Sequence, residues 1–266
     1  MSTFAERYGP WALVLGGSEG VGAAFARKLA AQGIKLALVA RGAGALDALA
    51  GELRREQGVE VRTLSQDLTR PGAAASVMAM TAHIDVGLLI CNAGAAHGVA
   101  DLLDAESDAA QRMIALNVAT PVELAHHYAG AMRRRRRGGL ILVGSMAGYC
   151  GGPGIAVYAA AKAFLRIFAE GLWLELQPHG LHVLGLVLGA TRTPAMLRAG
   201  FDLDRAGHAV ADPEAVAQEG LDHLADGPIH VAAGLAAAAQ AIAAGPRAEV
   251  VRAMNEATRL LARGSG

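Results

Sequence analysis

Short runs of consecutive apolar residues alternate with longer Ala/Leu-rich stretches from one end of the chain to the other. Trp11–Leu15, Lys35–Ala40, Val59–Ser65, Val86–Cys91, Leu140–Val143 and His182–Leu188 read as six strands, with Ile229–Val231 a short seventh. Between them the pattern predicts helices over Gly20–Gln32, Leu46–Gln57, Ala73–His83, Val157–Gln177 and Ala248–Leu261. Ser107–Arg136 is long enough for two helices broken near Asn117 and Pro121. Asp212-Pro213-Glu214 supplies an N-cap, a first-turn proline and a first-turn acid for a helix reaching Ala225. Strands that are apolar throughout must be covered on both faces. Their alternation with helices therefore predicts an α/β fold, a doubly wound parallel sheet of the Rossmann-like kind flanked by helices. No linker, repeat or composition break interrupts it, so residues 1–266 are expected to form a single domain.

Composition narrows the function classes. The 266 residues carry 24 basic and 24 acidic side chains, which argues against general nucleic-acid binding or a polybasic membrane surface. The basic run Arg133–Arg137 falls at a predicted helix end, where cations complement the dipole. Hydrophobic content of 53% excludes a disordered chain, and 4% aromatics leaves the core to Ala, Val, Leu and Ile. Two cysteines, Cys91 and Cys150, provide neither a disulfide framework nor a four-ligand zinc site, and a reducing, cytoplasmic setting is expected. His126-His127 and His179…His182 lack a third ligand at metal spacing, so no metal is expected. Met1–Pro10 lacks the apolar stretch of a signal peptide, and Val231–Ala244 is too short to span a bilayer.

Candidate chemistry gathers at the strand ends. The first strand runs into Gly16-Gly17-Ser18-Glu19-Gly20-Val21-Gly22 and then a helix, an arrangement that brings backbone N–H groups to a pyrophosphate at a positive helix end. Glu19 lies in the same turn and is expected to repel that phosphate. The second strand ends Val39-Ala40-Arg41, with no acid before Asp47. An arginine here holds a 2′-phosphate where an acid would hold the ribose hydroxyls, so NADP(H) is expected in preference to NAD(H). Tyr158 and Lys162 are four apart on one helix face, with Ser145 upstream. Lowering a phenol pKa from 10 to 7 requires about 4 kcal/mol. One ammonium about 4 Å away supplies roughly that much at an effective dielectric of 20.

These motifs, in this order, resemble the short-chain dehydrogenase/reductase family, single-domain type, over about residues 8 to 195. Gly16, Gly20 and Gly22 match its glycine motif. Asp67, followed by Leu68, matches the acid beside the adenine, and Cys91-Asn92-Ala93-Gly94 resembles its Asn-Asn-Ala-Gly turn. Asn117, Ser145, Tyr158 and Lys162 match its catalytic tetrad. The resemblance implies that Tyr158 exchanges a proton with the substrate oxygen and that Ser145 hydrogen-bonds the same oxygen. It implies that Lys162 lowers the Tyr158 pKa and holds the nicotinamide ribose, while Asn117 keeps a water behind it. Thr193 fits the threonine that contacts the carboxamide.

Three departures stand out: Leu15 for the usual threonine, Cys91 for the first asparagine, and Leu188-Gly189 for Pro-Gly. Pro228-Ile229-His230-Val231, followed by an Ala-rich helical tail over 232–266, resembles the hydroxysteroid-dehydrogenase-like branches. The wider Tyr–Lys spacing of enoyl reductases is not matched. Family habit implies a homodimer or homotetramer through the helices around 117–136 and 157–177.

For the substrate, Ser145, Met146, Tyr149, Cys150, Gly189 and Met196 are the expected contacts, with Leu188, Leu197 and Phe201 adding apolar surface and His97 at the border. Residues 190–211 show little regular pattern and are expected to form a lid, with Arg192, Arg198 and Arg205 at its surface. The expected activity is the interconversion of a hydrophobic ketone and a secondary alcohol. A catalytically silent NADP(H)-binding sensor or scaffold is the alternative, which need not have kept Ser145, Tyr158 and Lys162 together.

Overall fold

The computed structural model describes residues 3–94, 100–200, 202–204 and 210–262. In chain order its elements are α1 (Phe4–Tyr8), β1 (Trp11–Leu15), α2 (Gly20–Ala31), β2 (Lys35–Ala40), α3 (Ala43–Gln57), β3 (Val61–Ser65), α4 (Ala73–Met80) and β4 (Val86–Cys91). There follow α5 (Ala109–Ile114), α6 (Thr120–Arg135), β5 (Gly139–Ser145), α7 (Ala156–Leu176), β6 (His182–Leu188), α8 (Pro194–Arg198), α9 (Pro213–Asp222), β7 (Ile229–Val231), α10 (Ala236–Ala244) and α11 (Arg247–Ala262). The seven strands form one sheet in the order β3-β2-β1-β4-β5-β6-β7, every pair parallel.

Side-chain alternation along each strand builds two cores. Ala12, Val14, Leu36, Leu38, Ile90 and Ile141 point to one face and pack with residues of α2, α3 and α9. Leu13, Leu15, Ala37, Val39, Leu89 and Leu142 point to the other and pack with α4, α6 and α7. Both faces are dry, which is why the strands read as unbroken apolar runs. Strand order reverses between β1 and β4. A crevice opens at such a switch point, outside the carboxyl ends of the strands.

Several boundaries differ from the sequence reading. α1 was not expected; a capping box starts it, the Thr3 side chain accepting from the Glu6 backbone and Glu6 returning to Thr3. β3 starts at Val61, and α4 stops at Met80, where the Thr81 hydroxyl donates to the Val77 carbonyl 3.0 Å away. The expected break near Asn117 is a π-helical turn over Ala115–Ala119, with helical backbone on both sides. Pro121, which has no N–H to donate, sits in the first turn of α6 directly after the π-helical turn, where the Thr120 N–H reaches back to the Ala115 carbonyl. β5 extends to Ser145, which pairs with Leu188. That extension carries the serine to the crevice.

Candidate active site

The floor of the crevice is a backbone lock. The Asn92 amide nitrogen Nδ2 donates to the Gly16 carbonyl at 3.0 Å, and the Asn92 and Ala93 N–H groups donate to the Leu15 carbonyl at 3.2 and 2.8 Å. Leu15 thus braces the Asn92 turn through its carbonyl, without the hydroxyl that threonine would bring. Gly16 takes a positive φ of 74°, and a Cβ at Gly22 would overlap the Gly16 carbonyl oxygen. Gly22 lies behind the turn and does not line the crevice. It lets the start of α2 pack against the Gly16 carbonyl and the Asn92 amide.

Gly16, Ser18, Gly20, Val21, Arg41, Asp67, Leu68, Asn92, Ala93, Gly94 and Thr193 line one cleft of about 690 Å³, which continues to Ser145, Tyr158 and Lys162. Arg41 is exposed at the end of β2, on the cleft wall. Burial pushes the Asp67 carboxyl up, but two hydrogen bonds from Thr69, with Arg41 and Arg70 nearby, leave its pKa lowered. A cleft walled by the Gly16–Val21 turn, with the exposed Arg41 guanidinium on the same wall, fits a dinucleotide. Glu19, expected to repel the phosphate, is held by both guanidinium nitrogens of Arg198, which offset its charge.

The reacting groups stand on β5 and α7. Residues 162, 165, 169 and 176 form the buried stripe of α7, so Lys162 is directed inward with the core side chains. Only 3% exposed, it donates to the Val143 carbonyl at 2.9 Å, and its Nζ lies 5.6 Å from the Tyr158 ring centroid. Burial lowers its pKa to about 8, and the neighbouring Cys91 thiol is pushed up to about 12 by its own burial. Burial also raises the Tyr158 pKa, opposed by a hydrogen bond to Ser145. Burial of the phenol outweighs that bond and holds the Tyr158 pKa above its ordinary value. Ser145 accepts a 3.2 Å bond from the Ala147 backbone, which fixes its rotamer.

Asn117 is fully buried, in the π-helical turn. Its Nδ2 donates to the Met113 carbonyl at 3.1 Å, while its Oδ1 has no protein partner. Both that oxygen and Lys162 Nζ crowd the position where a Cβ on Gly94 would stand, so the two are neighbours. The tetrad residues gather at one place.

The substrate side is apolar. Met146, Cys150, Leu188, Gly189 and Met196 line it, with Pro153 and Ile155. Tyr149 does not, against expectation: the one-turn helix over Met146–Tyr149 directs its ring under the Arg166 guanidinium, 4.9 Å from the ring centroid. Met254 and Asn255 of α11, which sequence reasoning missed, complete the wall. The Arg247 guanidinium donates to the Tyr149 carbonyl at 3.2 Å and anchors the start of that helix.

The described residues of the 190–211 stretch carry a local order that the sequence pattern did not show. Thr193 caps α8 by accepting from Met196, and Thr191 bridges Ala211 at the base of the loop. Leu197 is exposed, and Arg192 pairs with Asp204. His97, Phe201 and Arg205 lie outside the described residues.

The remaining features are structural. Arg135 pairs with Asp85, Arg136 donates to the Pro178 carbonyl and Arg137 to that of Glu6. His126 and His127 are exposed, and His182 hydrogen-bonds the Tyr8 hydroxyl. Among the described residues no His/Cys/Asp/Glu group suits a metal, and no helix is long and apolar enough to cross a membrane.

Fold, glycine turn and tetrad geometry define a nicotinamide-dependent oxidoreductase of the Rossmann-like class. Residues 10–201 match the short chain dehydrogenase family, and the chain belongs to it. It is 38% identical over 192 residues to the 7beta-hydroxysteroid dehydrogenase of Collinsella aerofaciens, covering 72% of this chain and 73% of that protein. A solved 7beta-hydroxysteroid dehydrogenase structure superimposes with a TM-score of 0.87 at 31% identity, covering 95% of this chain and 99% of that one. A short-chain dehydrogenase from Sphingobium yanoikuyae, solved with NADPH, gives 0.78 at 31% identity over 97% and 98% of the two chains. The protein is thus an NAD(P)-dependent enzyme acting on CH–OH and C=O groups.

Proposed function

We propose that this chain is an NADP(H)-preferring oxidoreductase that interconverts a bulky hydrophobic ketone and its secondary alcohol, with a steroid-like skeleton as the favoured substrate class. The observation that carries this reading is the convergence of Ser145, Tyr158 and the buried Lys162 on the cleft that begins at the glycine turn and Arg41. The apolar far wall and the 7beta-hydroxysteroid dehydrogenase relatives support the substrate class.

Gly16, Ser18, Gly20 and Val21 would hold the pyrophosphate, Arg41 the 2′-phosphate, and Asp67, Leu68, Asn92, Ala93 and Gly94 the adenosine side, with Thr193 at the carboxamide. When bound, the nicotinamide exchanges a hydride with the substrate carbon. In the reduction direction the neutral Tyr158 phenol gives its proton to the carbonyl oxygen, and burial keeps that proton in place at neutral pH. Ser145 donates to the same oxygen as negative charge grows on it. The Lys162 ammonium, in its low-dielectric setting, stabilises the phenolate left behind. Asn117 Oδ1, buried and without a protein partner, would hold a water from which a proton returns through Lys162 to the Tyr158 phenolate.

Self-association is assigned to the outer face of α7, where Phe164, Ile167 and Leu174 are exposed. The reading is tested by NADPH consumption, with NADH in parallel, over ketones graded from small aliphatic to steroidal. Turnover is expected with NADPH on the bulky cyclic members. NADPH binding without reduction of any carbonyl would overturn it and leave the silent sensor.

A further inference from the structure

Glu19 and Arg198 are 179 positions apart in sequence and meet across the cleft. Glu19 directly precedes α2 in extended backbone (φ −155°), and its carboxylate makes no cap to the helix N–H groups. Instead Arg198 Nη1 donates to Oε2 at 3.0 Å and Nη2 donates to Oε1, a two-pronged grip. Arg198 is the last residue of α8, and Thr193 caps the start of that helix. The Thr193 methyl lies 2.9 Å from where a Cβ on Gly20 would stand. α8 is therefore tied to the glycine turn through Arg198 and lies against it at Thr193, while Ala195 and Met196 between them face the cleft.

Glu19 places a negative charge where an anionic pyrophosphate would be seated, and Arg198 is the group that offsets it. We propose that Glu19 and Arg198 form a positioning clasp. It neutralises the carboxylate in the dinucleotide seat and holds α8, with its substrate-side residues, in register with that seat. The clasp rests on the NADP(H) reading above and adds to it a mechanical link between cofactor and substrate subsites.

The test uses the full-length chain at low ionic strength, with NADPH affinity read by fluorescence titration and the carbonyl KM measured at saturating NADPH. Arg198→Met leaves Glu19 bare and is expected to raise the NADPH Kd by about threefold to fivefold, the range of an exposed charge pair. Glu19→Gln leaves Arg198 unopposed and is expected to lower that Kd by a similar factor. Both substitutions release α8, so both raise the carbonyl KM. Opposite shifts in one constant and parallel shifts in the other are a signature that loss of folding does not produce. The charge swap E19R/R198E is expected to bring both constants back toward the parent values, and high salt to shrink the Kd shifts.

Parent-like constants in both single variants would overturn the clasp and leave a solvated surface pair. Weaker NADPH binding in Arg198→Met, with an unchanged carbonyl KM in Glu19→Gln, would overturn it in favour of a direct Arg198–phosphate contact. A parent protein that does not bind NADPH would remove the cofactor reading itself, and the clasp with it. The binding titration needs no turnover, so failure of the carbonyl assay leaves it readable.

Discussion

The two ends of the cleft are built from different materials. At the glycine turn the surfaces are backbone: carbonyls of Leu15 and Gly16 tied to Asn92 and Ala93, with glycines wherever a Cβ would collide. At the substrate end the surfaces are side chains from four separate stretches: the 146–155 turn, β6, α8 and α11. The family match ends at residue 201, before α9, α10 and α11 begin. Backbone geometry tolerates little substitution, whereas an apolar wall accepts many. On the proposed reading the first end seats the cofactor and the second selects the substrate.

That contrast can be broken at either end. The largest effect is expected at the shared reacting centre. Tyr158→Phe removes the proton donor and should lower kcat for ketone reduction by about 10²–10⁴-fold, the usual worth of a general acid. Lys162→Met removes the buried charge and should also lower kcat steeply. Gly22→Ala at the rigid end forces a methyl against the Gly16 carbonyl and should destabilise the fold by about 1–3 kcal/mol, read by chemical denaturation. Arg41→Ala should weaken NADPH by about tenfold, or ~1.4 kcal/mol, while leaving NADH affinity nearly as it was. At the tolerant end, Met254→Ala and Asn255→Ala should change KM by only a few-fold on bulky ketones and less on small ones.

A pH profile sharpens the same comparison without altering the chain. Lys162 titrates at about 8 in its buried setting, below its ordinary value. It is charged below that pH and loses its charge above it. Reduction should therefore hold steady through neutrality and decline as pH rises past about 8, as phenolate stabilisation is withdrawn. Oxidation requires the Tyr158 phenolate, so its rate should climb with pH up to about 8 and level off beyond it, where the Lys162 charge that stabilises the phenolate is lost. A reduction rate that increased through pH 8 would contradict the assignment of Lys162.

The strands, the glycine turn, Asn92 and the Ser145–Tyr158–Lys162 spacing were legible in the sequence because each is a local pattern with a physical cause. Apolar runs report burial on both sheet faces, and a four-residue spacing reports a shared helix face. The orientation of Tyr149 was not legible, since it depends on Arg166 and on Arg247 reaching back from the C-terminal helix. Nor was the offset of the Glu19 charge, which comes from a residue 179 positions away. The burial that raises the Tyr158 pKa was not legible either: helical spacing gives proximity to Lys162, but burial is a property of the whole fold. One missed signal was local: Thr3-Phe4-Ala5-Glu6 is a capping-box pattern and announces α1.

The most direct test separates binding from chemistry in a single variant. Tyr158→Phe and the parent would be titrated with NADPH and then followed through single turnover with a bulky cyclic ketone. NADPH affinity is expected within about fivefold of the parent, with a hydride-transfer rate reduced by at least about 10²-fold. Hydride transfer that proceeds at the parent rate in the variant would contradict the assignment of Tyr158, because the proton would then come from another group.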